Sequence, residues 1–481
     1  MSNEQLTTLA EPTAMATAIA GPRRWPLVGN IPQLASGILA ESLYRLVQRH
    51  GDVFRVVFPP KTYAVIAHPD GIKEVTTELH DKTKRPHLVM AGADLWGTDS
   101  FYLNDGDKWL DRRKRFNRAF SAGQLGRLVS ATNECTDVVI ERLDDAAARN
   151  EPLDIRAQIL RLCIDVTGRF LYGHELGAQR GDGEYDECLS HYWAHVTWRN
   201  LIPFKYYKLL PTPEYRRKQR GLAKLEGLVR TTLEARRRQP LVDNQLDPIS
   251  IMLKANQSTS PEPEPDGATC PVAHAEFSEK EFRDELMLFM QAGVEPFAPM
   301  LYWTLLFLCE HPDQQAKVAA EAARVLGTST RPTTDDLAQL VHCDAVLRES
   351  TRLRAPVVAF YRGLTEDITV MGRRIPKEWD IWIPAYAVHR DPRFWDAPLE
   401  FRPERWLDGK PMHRFQYLAF GAGPRNCPGE HVSMVSCKLF VSRLCERFKL
   451  SVQPGARLKM ENGGFLQLRS PLPLRVERRA R

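Results

Sequence analysis

The sequence predicts a mainly α-helical protein with small β-sheets. Three observations predict it. Apolar residues recur with helical spacing through most of residues 105–354. Runs that alternate apolar and polar residues are short: DVFRVVF and TYAVIAH near the N-terminus, with further short apolar pieces after residue 356. No regular alternation of strands with helices announces a large parallel sheet, and no internal repeat is visible. A chain of 481 residues with 43% hydrophobic and 26% charged residues has ample material for a large core.

The elements follow in order. Residues 1–20 read as a disordered tail of small and polar residues, and residues 21–481 as one domain. The domain begins with GPRRWPLVGNIP, where Pro22, Pro26 and Pro32 impose an extended entry. DVFRVVF and TYAVIAH form a hairpin joined by PPKT. Helical patterns cover residues 105–148, opening with the basic KWLDRRKRFNR, and dominate residues 152–254. Within them, residues 211–238 form an amphipathic helix whose basic face is solvated. Residues 254–277, rich in Pro, Glu and Ser, read as a mobile surface loop; Cys270 and His274 in it are a weak metal signal. Helices continue over 278–328 and 334–354, short strands and prolines over 356–410, and another helix follows Cys427.

The net charge of +6 is a mild excess without a polybasic tail, which argues against nucleic acid as a partner. Nine cysteines are scattered without a CxxC pair, the usage of a reducing compartment. The first residues, MSNEQLTTLAEPTAMATAIA, resemble neither a signal peptide nor a membrane anchor, so a soluble, cytoplasmic, monomeric protein is expected.

Two segments carry chemistry. In FGAGPRNCPGEHVSMVSCKLFVSRL, a glycine-rich turn leads to Cys427 and then to a helix. Pro428 fits a first helical position, and a cysteine at a helix N-terminus is expected to favour the thiolate, a nucleophile or a metal ligand. The ordinary alternative is a small buried hydrophobe. In ELMLFMQAGVEPFAPMLYWTLLFL, a buried helical run contains Pro296 and Pro299, each expected to kink it, and the acid Glu295.

The pattern Phe420-x-x-Gly423-x-Arg425-x-Cys427-x-Gly429 resembles the heme-binding signature of the cytochrome P-450 family of heme-thiolate monooxygenases. Glu349-Ser-Thr-Arg352 resembles that family's ExxR motif, and Phe401-Arg-Pro403-Glu-Arg405-Trp406 the segment whose arginine completes a buried triad of Glu349, Arg352 and Arg405. HRDP at 389–392, Trp109-Leu-Asp-Arg-Arg113 and the proline-rich entry agree in order. The resemblance, which spans residues 21–478, implies heme b ligated by the Cys427 thiolate. It also implies propionates held by Trp109, Arg113, Arg362 and Arg425. Gly429 and Glu430 are the expected N–H donors to the sulfur, since Pro428 has none.

The same resemblance places AGVEPF over the heme, where the family has AGx(D/E)TT. Ala292, Gly293 and Glu295 match; Pro296 and Phe297 replace the two threonines. Ala292 and Gly293 are expected to let the backbone approach a heme-bound ligand, and Glu295 to handle protons beside Pro296. Two chemistries stay open: dioxygen-dependent oxidation, or turnover of peroxide or of a substrate already carrying a peroxide or N–O bond. A heme-binding sensor or non-catalytic scaffold is a third possibility. The pocket is expected to include Phe297, Val357, Val358, Phe360 and Phe465 and to take a hydrophobic, possibly aromatic small molecule of secondary metabolism. Redox partners would be a separate ferredoxin and reductase, docking near the run Arg112, Arg113, Lys114, Arg115 and Arg118.

Overall fold

The computed structural model of the chain describes residues 19–91, 97–181, 213–241, 246–257, 276–462 and 465–480. The predicted N-terminal tail and the 254–277 loop, with Cys270 and His274, lie outside these residues apart from 19–20, 254–257 and 276–277.

The hairpin forms as the alternation predicts: β1 (Val53–Phe58) pairs antiparallel with β2 (Lys61–Ile66), Val53 opposite Ile66. Three short strands extend it; the sequence places two of them only loosely, within residues 356–410, and does not announce the other. β3 (Thr83–Lys84), β4 (Phe360–Leu364) and β5 (Asp380–Ile383) join in the order β1-β2-β5-β4-β3. Only the β2–β5 contact is parallel. The C-terminal strands Phe448–Val452 and Pro473–Arg478 pair in a separate three-stranded sheet with Leu153–Asp154.

Helices make the bulk of the core. α1 (Gly106–Asn117), α2 (Leu125–Arg149) and α3 (Ile155–Thr167) lead to the long apolar run, which is divided into α4 (Glu279–Val294) and α5 (Phe297–Glu310). α6 (Pro312–Leu326), α7 (Val341–Leu353) and α8 (Glu430–Arg447) follow. α4 and α5 both pack on α3; α5 packs on α7; α8 packs on α2, α6 and α7. α5 is buried around most of its circumference, from Phe297 to Leu306, so its sequence is apolar without a polar face. The Glu279–Glu310 run is long and apolar enough to cross a membrane, but 72% of its most apolar window is buried within the protein, as in a core helix.

The run is interrupted once, not twice. A capping box between Ser278 and Glu281 starts α4. Glu295 and Pro296 form the break, and Pro296 caps α5. Pro299 is the third residue of α5, in a first turn whose N–H groups have no helical partner, so its missing N–H disrupts nothing.

A polar cluster ties α7 to the C-terminal loops. The Glu349 carboxylate, with no exposed surface, accepts from Arg352 Nε and Nη2, both at 2.8 Å, and from Arg405 Nε at 2.9 Å. Trp406 Nε1 and the Arg402 N–H, each at 3.0 Å, complete its shell. Arg352 continues to the carbonyls of His389 (2.6 Å) and Pro398 (2.7 Å). Burial opposes ionisation of Glu349, but the Arg352 hydrogen bonds and the charges of Arg352 and Arg405 outweigh it and hold the carboxyl below its usual range.

His389 extends the cluster toward the cysteine. The Leu418 N–H donates to its Nε2 at 2.7 Å, so Nδ1 carries the proton and donates to the Arg352 carbonyl at 3.0 Å. Burial, with Arg352 and Arg390 nearby, pushes its titration down to about 3, which keeps the ring neutral.

Glu349→Ala would leave Arg352 and Arg405 buried without their counter-charge and should lower unfolding free energy by about 3–5 kcal/mol in urea titrations. Because the folded carboxyl titrates below the unfolded one, its stabilisation is intact above the unfolded value and fades as pH falls through the folded value; the mutant's stability should therefore depend less on pH in that acid range. His389→Ala should cost about 1–3 kcal/mol and speed hydrogen exchange of the Leu418 amide.

Candidate active site around Cys427

The loop before α8 is set by two backbone constraints. The Cys427 N–H donates to the Phe420 carbonyl at 2.9 Å, closing the turn. Gly423 has φ +71°, and a Cβ there would lie 1.9 Å from the Thr76 carbonyl oxygen, so only glycine fits. Arg113 then clamps the loop from α1, donating to the Asn426 carbonyl at 2.9 Å and to Asn426 Oδ1 at 2.8 Å. Cys427 is a free thiol that opens into the main cavity, reachable by water yet surrounded by protein.

The expected start of the following helix shifts. Gly429 is the N-cap and Glu430 the first residue of α8, so Pro428 lies in the preceding turn and not at the first helical position. Burial pushes the thiol up to about 11, although the N–H groups of Gly429 and Glu430 and the charge of Arg113 oppose it. The expected thiolate is thus not secured by the helix terminus alone; a bound cation is needed to supply the balance. Gly429 and Glu430 are the donors the sequence singled out.

Beside this loop lies an excess of buried cation. The Arg362 and Arg425 guanidiniums, that of Arg85, and the His80 ring converge there, and each has one buried ring or guanidinium nitrogen without a partner. Arg425 sits 4.2 Å over the Trp109 ring and donates to the Asn104 carbonyl at 3.1 Å; Asp105 is its carboxylate partner. Burial and Arg85 push Arg425 down to about 9 and Arg362 to about 10. His80 is lowered by burial and by Arg425 and Arg362. Three guanidiniums with open N–H donors and a histidine, facing one carboxylate, call for an anion with two or more acidic groups. Heme propionates would fit that demand, and the Cys427 sulfur would hold the iron. His80 was not legible beforehand, since it falls on no periodic face and in no quoted motif; Arg85 opens RPHLVMAGADLWGTDSFYL (85–103), a segment that the family resemblance assigns to the pocket, but nothing there marked it as an anion ligand.

The cavity has a volume of about 750 Å³. Cys427, Trp109, Arg113, Arg362, Arg425, Phe420 and Gly429 all line it, as do Phe297, Val357, Val358, Phe360 and Phe465. On the broken helix, Ala292, Gly293, Pro296 and Phe297 line it, but Glu295 does not. Two residues from Gly293 on a helix is more than half a turn away. Glu295 is buried on that other side, among Arg156, Cys163 and Tyr302, and burial, opposed by the charge of Arg156, raises its carboxyl well above the usual range. Its expected place beside the reacting ligand is therefore corrected. Gly293 also needs its lack of side chain for a different reason than expected: a Cβ would meet Thr167 Oγ1 and Cγ2 at 2.8 Å.

The basic run on α1 is likewise divided. Arg112 falls on the inner face with Trp109 and Phe116, three and four residues away. It pairs with Glu285 of α4 at 3.0 Å and with Glu281. The same Glu285 oxygen accepts from the Phe101 N–H at 2.8 Å, so this ion pair pins the Phe101 segment over the cavity. Arg113 serves the cysteine loop, and Arg115 bonds Asp111 at 3.0 Å. Of the five, only Lys114 and Arg118 are exposed.

A fold of helices around a cysteine-centred apolar cavity, with a cationic recess beside it, defines a heme-thiolate oxidoreductase. The sequence model for cytochrome P450 matches residues 19–477, and the chain belongs to the cytochrome P450 family, enzymes that bind heme through a cysteine thiolate. Among curated relatives, it is 26% identical over 467 residues to "Protein LUTEIN DEFICIENT 5, chloroplastic" of Arabidopsis thaliana, covering 94% of this chain and 76% of the relative. It is 25% identical over 476 residues to cytochrome P450 3A5 of Homo sapiens, covering 96% and 91%. It is 25% identical over 464 residues to cytochrome P450 4d2 of Drosophila melanogaster, covering 90% and 88%.

Arg85→Met should accelerate heme loss to an apoprotein acceptor several-fold while leaving the heme-free protein as stable as the parent, because it removes one of several repelling charges. Pro428→Ile adds an N–H beside the sulfur and should raise the midpoint potential of the heme-loaded protein in a spectroelectrochemical titration; an unchanged or lower potential contradicts this.

Proposed function

We propose that this enzyme is a dioxygen-using monooxygenase of a hydrophobic, aromatic-containing small molecule of secondary metabolism. The observation that carries the substrate class is the wall of the cavity. Phe101, Phe120, Phe289, Phe297, Phe360 and Phe465 contribute to it, while its arginines collect near the cysteine loop. Among the described residues that line it, the one carboxylate is Glu461, and it is paired with Arg469. Such a wall binds by excluding water from apolar surface and orients with few polar contacts.

Heme bound at Cys427 would supply the oxygen chemistry. In overall balance, dioxygen, two electrons and two protons convert a substrate C–H to C–OH and water. The protein's part is to hold the propionates through Trp109, Arg362 and Arg425 with Arg85, to keep the Cys427 sulfur hydrogen-bonded, and to hold the substrate against Ala292, Phe297 and Val358. Arg113 holds the cysteine loop through Asn426. The electrons come from a separate ferredoxin and reductase. A second cavity of about 530 Å³ that also reaches Cys427 is lined by Arg113, Arg348, His431 and Lys438 together with Glu430 and Asp344, which pairs with Arg348 and Lys438; the cationic excess that remains, with Lys114 and Arg118, suits an acidic donor. On this reading the enzyme works as a cytoplasmic monomer.

One observation favours a second reading. Pro296 places no hydroxyl at the break, so a peroxide or a substrate with a peroxide or N–O bond would ask less of this wall. The cavity-facing residues of the broken helix include no carboxylate or histidine, a lack that bears equally on proton delivery to dioxygen and on peroxide cleavage, so the dioxygen reading rests on the monooxygenase chemistry of the family. Turnover with dioxygen and reductant should exceed turnover with hydrogen peroxide at least several-fold, and Pro296→Thr should leave the preference unchanged. Peroxide-supported turnover that outpaces it, or a sharp rise of ferredoxin-supported turnover in Pro296→Thr, would reverse the assignment; ligand-induced heme absorbance shifts without any product would indicate a sensor.

A further inference from the structure

The break between α4 and α5 leaves a buried backbone group to account for. Pro296 has no N–H, so the Ala292 carbonyl lacks its helical donor, and Ala292 lines the cavity. The next carbonyl, that of Gly293, accepts a hydrogen bond from Thr167 Oγ1 at 3.1 Å. Thr167 is the last residue of α3, where the chain widens into the π-helical turn Gly168–Tyr172, and it also lines the cavity.

This hydroxyl behaves unlike most in the helices. Thr76, Thr136, Thr304 and Thr351 each turn back on the carbonyl four residues earlier in their own segment. Thr167 reaches across to another helix instead, and Gly293 admits it only because it has no Cβ. Donation to the Gly293 carbonyl uses the single proton of the hydroxyl and leaves its oxygen lone pairs as acceptors.

We propose that Thr167 is a positioning residue of the oxygen site: it anchors the helix break through Gly293 and holds a water against the free Ala292 carbonyl, from which protons reach the cavity. This rests on the dioxygen reading. A hydroxyl from α3 thereby stands in the cavity wall at the break where Pro296 offers none. The water donates one proton to the Ala292 carbonyl and one to the Thr167 oxygen, so each buried acceptor gains a partner, and turning the second proton away from Thr167 offers it to the cavity.

Crystal structures of the heme-loaded protein and of Thr167→Val, together with Thr167→Ser, test it. The parent and Thr167→Ser should show an ordered water bonded to the Ala292 carbonyl and the residue 167 hydroxyl, and Thr167→Val should lose it. Amide exchange over residues 291–298 should rise several-fold in Thr167→Val and return in Thr167→Ser. With dioxygen and reductant, the share of electrons lost as hydrogen peroxide should rise at least threefold in Thr167→Val. A parent structure without the water overturns the water-holding role, and unchanged exchange overturns the anchor. Unchanged peroxide release with the water lost shows that the water is not a proton source. Failure of every form to turn over with dioxygen, with the water and exchange effects present, counts against the dioxygen reading and leaves the positioning role standing.

Discussion

The structure depends on a buried carboxylate, that of Glu349. Five donors converge on it: two from Arg352, one from Arg405, one from Trp406 and the backbone of Arg402. The arginines in turn hold carbonyls at Asp396, Ala397, Pro398 and Glu400, none of which has a strand or helix to satisfy it. A long irregular segment is thereby made rigid without regular secondary structure. Such a charge cluster adds little net stability over an apolar core of equal volume, but its removal in part is severe, because the remaining charges stay buried. Its effect here is geometric: through Arg352, His389 and Leu418 it fixes the approach to the turn that presents Cys427.

Opposing demands meet around the sulfur. The apolar cavity that suits a hydrophobic substrate also desolvates the thiol and disfavours its ionisation. Nearby, three guanidiniums and a histidine are buried against one carboxylate, and they too are destabilised by burial and by one another. A ligand with a cationic centre for the sulfur and carboxylates for the arginines resolves both conflicts at once. The protein alone is electrostatically incomplete in a way that a metal porphyrin with two propionates completes.

Much of this was legible in the sequence, and the reasons differ by element. The β1–β2 hairpin and the long apolar helices follow from local periodicity. The Glu349–Arg352 pair follows from helix spacing, but its burial does not; that became readable only beside Phe401-Arg-Pro403-Glu-Arg405 and the cysteine signature. Glu295 shows the limit of motif matching: its position in the chain aligns, while the helix turns its side chain away from the cavity. Arg112 was misassigned to the surface although its spacing from Trp109 and Phe116 already placed it inside. His80 and Thr167 gave no signal, and Arg85, although it opens the segment 85–103 that the resemblance assigns to the pocket, gave none as an anion ligand, because each acts through contacts with residues far away in sequence. Thr167 meets Gly293 across 126 positions, a pairing that only tertiary structure supplies.

The central claim is that this cavity directs oxygen from dioxygen into a bound hydrophobic substrate. Mass analysis of the product formed under dioxygen labelled with heavy oxygen, in ordinary water with reductant and redox partners, tests it most directly. The account predicts a product carrying one heavy oxygen atom per oxidation. Product that forms at the same rate without dioxygen, or whose new oxygen comes from water, would contradict it.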